Sequence, residues 1–188
     1  MMNNAIFLDK DGTLIPDIPY NIDPDMITLQ PDSIEGLKLL YNEGYLLVIV
    51  SNQSGVARGY FTEEKLQVVE LKIKELLAVN DILLSGFYYC PHHPQGIVKS
   101  FNIDCDCRKP MPGMLLKAAT EHNINLPKSW MIGDILNDVE AGSRAGCKTV
   151  LIDNGNETEW VPGEHRIPTF TCKSINEAAE NILTTQLT

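Results

Sequence analysis

The chain has 188 residues, 44% of them hydrophobic and 21% charged, with a formal net charge of -10. That balance suits one compact domain with a full core and excludes a disordered chain. The charge argues against a protein that grips nucleic acid by neutralising its phosphates, and no apolar run is long enough to span a bilayer. The start, MMNNAIFLDKDG, lacks the basic head and long apolar stretch of a signal peptide, so a cytosolic location is expected.

Short apolar runs of strand length alternate with segments of helical period. The first strand is read at Ala5 to Asp9. A helix follows from Ile34 to Gly44, where Ile34, Leu37, Leu40 and Tyr41 share a face; Asp32 or Ser33 can cap its start and Gly44 can end it left-handed. Tyr45 to Asn52 is a second strand. Thr62 to Leu77 reads as a helix entered on an N-cap oxygen at Thr62, with Glu63 and Glu64 near the positive end of its dipole. Its stripe of Leu66, Val69, Ile73, Leu76 and Leu77 is core facing a sheet. Strands at Ser85 to Tyr89, Ser129 to Asp134 and Lys148 to Asp153 alternate with helices at Pro112 to His122 and Asn137 to Gly146.

Such alternation implies right-handed crossovers and an α/β fold, a Rossmann-like and mostly parallel sheet with helices on both faces. One domain over residues 1–188 is expected, with a loop insertion at about 89–110. Three irregular stretches, Pro16 to Gln30, Cys90 to Pro112 and Asn154 to Thr171, are long enough to be candidates for function.

Ligands of an open parallel sheet bind beyond the carboxyl ends of its strands. The first strand runs there into Asp9-Lys10-Asp11-Gly12-Thr13. Residues two apart on extended chain point the same way, and Gly12 lets the backbone turn after them. Two such acids repel each other unless a cation sits between them or one stays protonated, which is the electrostatic reason to expect Mg²⁺. Lys10 is read as a local partner of the acids. At the second strand end Ser51, Asn52 and Gln53 offer a hydroxyl and donors for phosphate oxygens. Gly133-Asp134, with Asn137 and Asp138 one turn into a helix, offers a further carboxylate.

Three of the five cysteines, Cys90, Cys105 and Cys107, lie beside His92 and His93 in YCPHHPQGIVKSFNIDCDCRKP. In a reducing compartment this composition favours a metal over a disulfide framework, with reduced, metal-free thiols as the alternative. Three thiolates and one imidazole would suit a closed, structural, tetrahedral Zn²⁺ site. Metal binding would supply folding free energy to a loop with little apolar material, and would fix the segment that presents Arg108 and Lys109.

Taken in order, Asp9-Lys10-Asp11-Gly12-Thr13, Ser51-Asn52, Lys109 and Gly133-Asp134 with Asp138 resemble the four motifs of the haloacid dehalogenase superfamily of aspartate-nucleophile phosphatases. The resemblance spans nearly the whole chain. Within that superfamily SNQSGVARGYFTE, YYCPHHPQG, CDCRKPMPGM and GDILNDVEAG are similar to the heptose-bisphosphate phosphatase family, with histidinol-phosphate phosphatases as near relatives. The resemblance implies the superfamily fold without a large cap domain, a Mg²⁺-dependent phosphatase, a small phosphorylated substrate and a monomer. It further implies a place in the making of nucleotide-activated heptose, a lipopolysaccharide precursor. Asp9 would attack phosphorus, and Asp11 would serve as acid and then base. Mg²⁺ would be held by the Asp9 carboxylate, the Asp11 carbonyl and Asp134, with Asp138 in support. Ser51, Asn52, Gln53 and Lys109 would hold phosphate or substrate, and Arg108 a second anionic or hydroxyl-rich part of it. His92, and not His93, would complete the Zn²⁺ set. Two departures stand out: Ile135, where the heptose enzymes often carry a cation, and the stretch 153–170. A non-enzymatic zinc-bearing interaction protein is the other functional class, and Asp9 and Asp11 together with Lys109 disfavour it.

Overall fold

The structure, a computed structural model, describes residues 2–185. Its elements are β1 (Ala5–Leu8), α1 (Ile34–Asn42), β2 (Leu46–Asn52), α2 (Glu63–Ala78), β3 (Leu84–Cys90), α3 (Gly113–Glu121), β4 (Trp130–Gly133), α4 (Leu136–Ala145), β5 (Lys148–Ile152), β6 (Phe170–Cys172) and α5 (Ile175–Thr184). Six strands form one sheet in the order β3-β2-β1-β4-β5-β6, every neighbouring pair parallel.

Alternation along each strand divides the core into two layers, because successive side chains point to opposite faces. Ile6, Leu8, Leu47, Ile49, Ile132 and Val150 belong to one buried cluster with residues of α1, α2 and α5. Ala5, Phe7, Val48, Val50 and Met131 belong to another with α3 and α4. The expected α/β sheet covered on both faces is therefore present, and the described residues contain no large inserted cap.

Three local readings differ from the sequence. Ser33 sits at the N-cap of α1 without a capping bond; its hydroxyl donates to the Gln30 carbonyl at 2.7 Å. The Gly36 amide is instead received by Asn176 Oδ1 at 2.7 Å, so the end of α1 is satisfied from α5. Thr62 occupies the N-cap of α2, again with no side-chain cap bond. The last strand and helix had no place in the strand-and-helix alternation. β6 is three residues long, too short for a periodic signal, and trims the expected irregular stretch at Phe170. Gly44 does take the left-handed conformation after α1 (φ 84°).

β1 lies between β2 and β4, so the chain leaves it to one side first and returns on the other. That is the switch point where a crevice opens at the carboxyl ends. The long loops after β1, β3 and β5 all depart from those ends, and they are the three irregular stretches of the sequence.

Candidate active site

Asp9 is the first residue beyond β1, and its amide donates to the Ile132 carbonyl of β4 at 2.9 Å, so the sheet itself fixes its backbone. Lys109 arrives from the loop after β3. Its Nζ donates to Asp9 Oδ1 at 2.5 Å, to the Val50 carbonyl at 2.9 Å, and pairs with Asp138 Oδ1 at 2.7 Å. Asp134 follows β4, its Oδ1 accepting from Thr13 Oγ1 at 2.9 Å and its Oδ2 from Asn156 Nδ2 at 2.6 Å. Gly133 has no Cβ, and one placed there would sit 2.2 Å from Asp138 Cβ, so this glycine is what lets Asp138 lie against the strand end.

Ligand oxygens of Asp9, Asp134 and Asp138 lie within 4.8 Å of one another. All three residues are buried, and Lys109 offsets only part of their charge. The imbalance appears in their protonation. Burial, opposed by Lys109 and reinforced by Asp138 and Asp11, pushes the Asp9 carboxyl up to about 7. Burial and the charge of Asp9 push Asp134 up to about 6, against the hydrogen bonds from Asn156 and Thr13. Burial also raises Asp138, although Lys109 opposes it. A cluster of hard oxygens with excess negative charge is the donor set that Mg²⁺ accepts.

Asp11 stands at the mouth. Its Oδ1 accepts from Lys10 Nζ at 2.5 Å and its Oδ2 from Gln53 Nε2 at 3.0 Å. Gln53 Nε2 also donates to Ser51 Oγ at 2.7 Å. A cavity of about 200 Å³ bordered by Asp9, Asp11, Lys109, Asp134 and Asn156 adjoins one of about 290 Å³ bordered by Lys10, Asp17, Tyr20 and Gln53. Asp11 borders both, where an acid could reach a group bridging them.

The cysteine and histidine loop closes on itself. Cys107 Sγ lies 2.9 Å from Cys90 Sγ, 3.3 Å from Cys105 Sγ and 3.3 Å from His92 Nδ1. Cys90 Sγ is 3.5 Å from Cys105 Sγ. All these cysteines are free. Three sulfurs and one nitrogen converging on one point leave no open position, which is the donor set of structural Zn²⁺. His93 turns away, its Nδ1 accepting from the Gln95 amide and its Nε2 meeting Arg58 Nη2 at 3.2 Å.

Comparison with known proteins decides the family. The D-glycero-beta-D-manno-heptose-1,7-bisphosphate 7-phosphatase of Pasteurella multocida is 48% identical over 155 residues, covering 82% of this chain and 84% of its own. Its counterpart in Escherichia coli K12 is 43% identical over 166 residues, covering 84% and 87%. The chain belongs to the heptose-bisphosphate phosphatase family. Residues 106–178 also match the HAD-hydrolase-like family model. Among solved structures, D,D-heptose 1,7-bisphosphate phosphatase from B. bronchiseptica, complexed with magnesium and phosphate, superposes with a TM-score of 0.78 at 28% identity, over 97% of this chain and 99% of its own.

Within this heptose-bisphosphate phosphatase family fold, Asp9, Asp11, Asn52, Lys109, Asp134 and Asp138 border one cavity, and Gln53 joins Asp11 to Ser51 through hydrogen bonds. Asn52 spends its amide on the peptide of Lys109: Nδ2 donates to the Lys109 carbonyl at 3.0 Å, and Oδ1 accepts from the Lys109 amide at 2.9 Å. Gln53 holds Asp11 and Ser51. The Asn52 amide thus brackets the Lys109 peptide from both its ends, and the Gln53 NH2 group bridges Asp11 and Ser51. Asp138 is as close to the charge cluster as Asp9 and Asp134. Arg108 is half-buried, with Nη1 3.4 Å from the His92 carbonyl. Sequence reasoning missed Asn154, Asn156 and Glu157, whose only signal was the length of the stretch after Asp153, and gave Thr13 no role of its own within the first motif.

Gly12 is packed as closely as Gly133. It has φ 88°, and a Cβ there would lie 2.2 Å from Asp134 Oδ2 and 2.5 Å from Asn156 Nδ2. Gly12→Ala is expected to add about 1–2 kcal/mol of backbone strain and to displace Asp134 as well. A melting temperature lower by about 4 °C or more is the expected result in a thermal scan; an unchanged value would refute the close packing.

Proposed function

We propose that this chain is a Mg²⁺-dependent phosphatase that removes the 7-phosphate of D-glycero-D-manno-heptose 1,7-bisphosphate through an aspartyl-phosphate on Asp9. The observation that carries the reading is the buried meeting of Asp9, Lys109, Asp134 and Asp138 at the switch point, in a chain 42–48% identical to relatives named for that activity. Asp9, Asp134 and the Asp11 carbonyl would hold Mg²⁺, with Asp138 supporting them. The ion would supply charge neutralisation between an anionic nucleophile and an anionic ester.

The chemistry then falls to the side chains. An Asp9 carboxylate oxygen bonds to phosphorus while the ester bond breaks, and Asp11 gives its proton to the departing alkoxide. Asp11 next takes a proton from the water that attacks the aspartyl-phosphate, which releases phosphate and restores Asp9. Lys109 and Ser51 face the equatorial oxygens, where charge is spread during transfer. Zn²⁺ held by Cys90, His92, Cys105 and Cys107 would fix the segment bearing Arg108 and Lys109, with Arg108 directed to a distal group of the sugar. The chain would act as one phosphatase domain, monomeric and cytosolic, on a small molecule and not on nucleic acid; its net charge of -10 supports the last point, and no described helix is long and apolar enough to cross a membrane.

Phosphate release should be measured with Mg²⁺ from both anomers of the heptose bisphosphate and from histidinol phosphate. A strong preference for a heptose anomer is expected. Preference for histidinol phosphate would reassign the substrate while leaving the Asp9 chemistry in place.

A further inference from the structure

The chain from 153 to 169 joins β5 to β6 without regular structure, yet its side chains are tied to the site. Asn154 Nδ2 donates to the Gly12 carbonyl at 2.8 Å, and Asn154 Oδ1 accepts from the Asn156 amide at 3.2 Å. Asn156 Nδ2 then donates to Asp134 Oδ2 at 2.6 Å. On the other side, α4 begins at Leu136 behind an N-cap, Ile135, that has no oxygen to offer. The Leu136 amide, one of the orphans of a helix start, is received by Glu157 Oε2 at 2.6 Å. The second oxygen of Glu157 accepts from the amides of Glu159 at 2.8 Å and Trp160 at 3.3 Å. Glu157 thus pins the strap to the helix, and the residue beside it is the one that reaches Asp134.

Asp134 is consequently clamped from two sides, by Thr13 on Oδ1 and by Asn156 on Oδ2. A carboxylate oxygen has more than one acceptor site, so each can keep its donor and still face a cation. The clamp fixes the rotation of the carboxylate, and donors placed in this way commonly set metal affinity.

We propose that Asn156 is a positioning residue for Asp134, held in register by Glu157 at the start of α4, and that the pair sets the affinity of the site for Mg²⁺. The proposal rests on the reading of Asp134 as a metal carboxylate. It gives the divergent strap a role in metal binding through residues that lie outside the four motifs.

Zinc-loaded protein should be titrated calorimetrically with Mg²⁺ alone, in the absence of substrate, as parent, Asp134→Asn, Asn156→Ala, Glu157→Ala and the double variant of 156 and 157. Asn156→Ala is expected to weaken Mg²⁺ binding about tenfold or more while its metal-free melting temperature stays within about 2 °C of the parent. Glu157→Ala should weaken it as well, and the double variant should be no weaker than Asn156→Ala, because Glu157 acts through Asn156. Parent-like affinity in Asn156→Ala, with binding abolished in Asp134→Asn, would overturn the proposal. Additive losses in the double variant would overturn the coupling between the two residues. Parent-like binding in Asp134→Asn would instead remove the metal assignment itself, so the two failures are distinguishable.

Discussion

Asp9→Asn is expected to reduce Mg²⁺-dependent phosphate release by about ten-thousand-fold or more, the scale seen when a covalent nucleophile is removed from a site whose other parts remain. The substitution keeps shape and hydrogen-bonding capacity. Lys109 retains Asp138 at 2.7 Å and the Val50 carbonyl at 2.9 Å, so it is not left without acceptors. The buried carboxylate, raised to about 7 by desolvation first and by its acidic neighbours, is exchanged for a neutral amide. Melting temperature should therefore change little while turnover collapses. Steady-state phosphate release and a thermal scan on the same preparation check both halves, and turnover within tenfold of the parent would remove Asp9 from its role as nucleophile.

Cys107→Ser should abolish stoichiometric Zn²⁺ and lower activity by about a hundredfold. Cys107 touches every other member of the cluster, at 2.9 to 3.3 Å, and stands two residues before Lys109. The loop from 91 to 112 has few buried apolar residues of its own, so the metal would supply most of its order. A catalytic lysine displaced by about 1 Å is enough for a loss of that size. An opposing influence is visible: Asn52 brackets the Lys109 peptide, and Asp9 and Asp138 hold its ammonium. Zinc content, turnover and melting temperature should be compared before and after chelation of the parent, and again on zinc return. Recovery with zinc supports the loop as a positioning device. Full activity in stably zinc-free protein would show that Asn52 and the ion pairs suffice without it.

The amino-acid sequence by itself determined a mostly parallel sheet with acids at its carboxyl ends, whereas the strand order, and with it the switch point at β1, came from the structure. Strand-length apolar runs alternating with helical stripes leave few topologies, and a parallel sheet sends its functional groups to the carboxyl ends, where Asp9, Asp11 and Asp134 fall. The cysteine and histidine cluster was legible for a different reason, since three thiols and an imidazole in one short loop carry their metal-binding chemistry in their composition. Helix caps were less legible. Ser33 and Thr62 have the right side chains in the right places, yet Asn176, brought in by α5, receives an amide of α1.

Only the tertiary structure decided how the acids are held. Lys109 and Asp9 are a hundred residues apart in sequence, and Asn156 reaches Asp134 from a stretch with no periodicity. The amides of Asn52 and Gln53 meet Lys109 and Asp11 in the folded chain, contacts that their residue types alone do not specify. Residue type limits which bonds a side chain can make, whereas the choice among them depends on which partner the packed chain brings within about 3 Å.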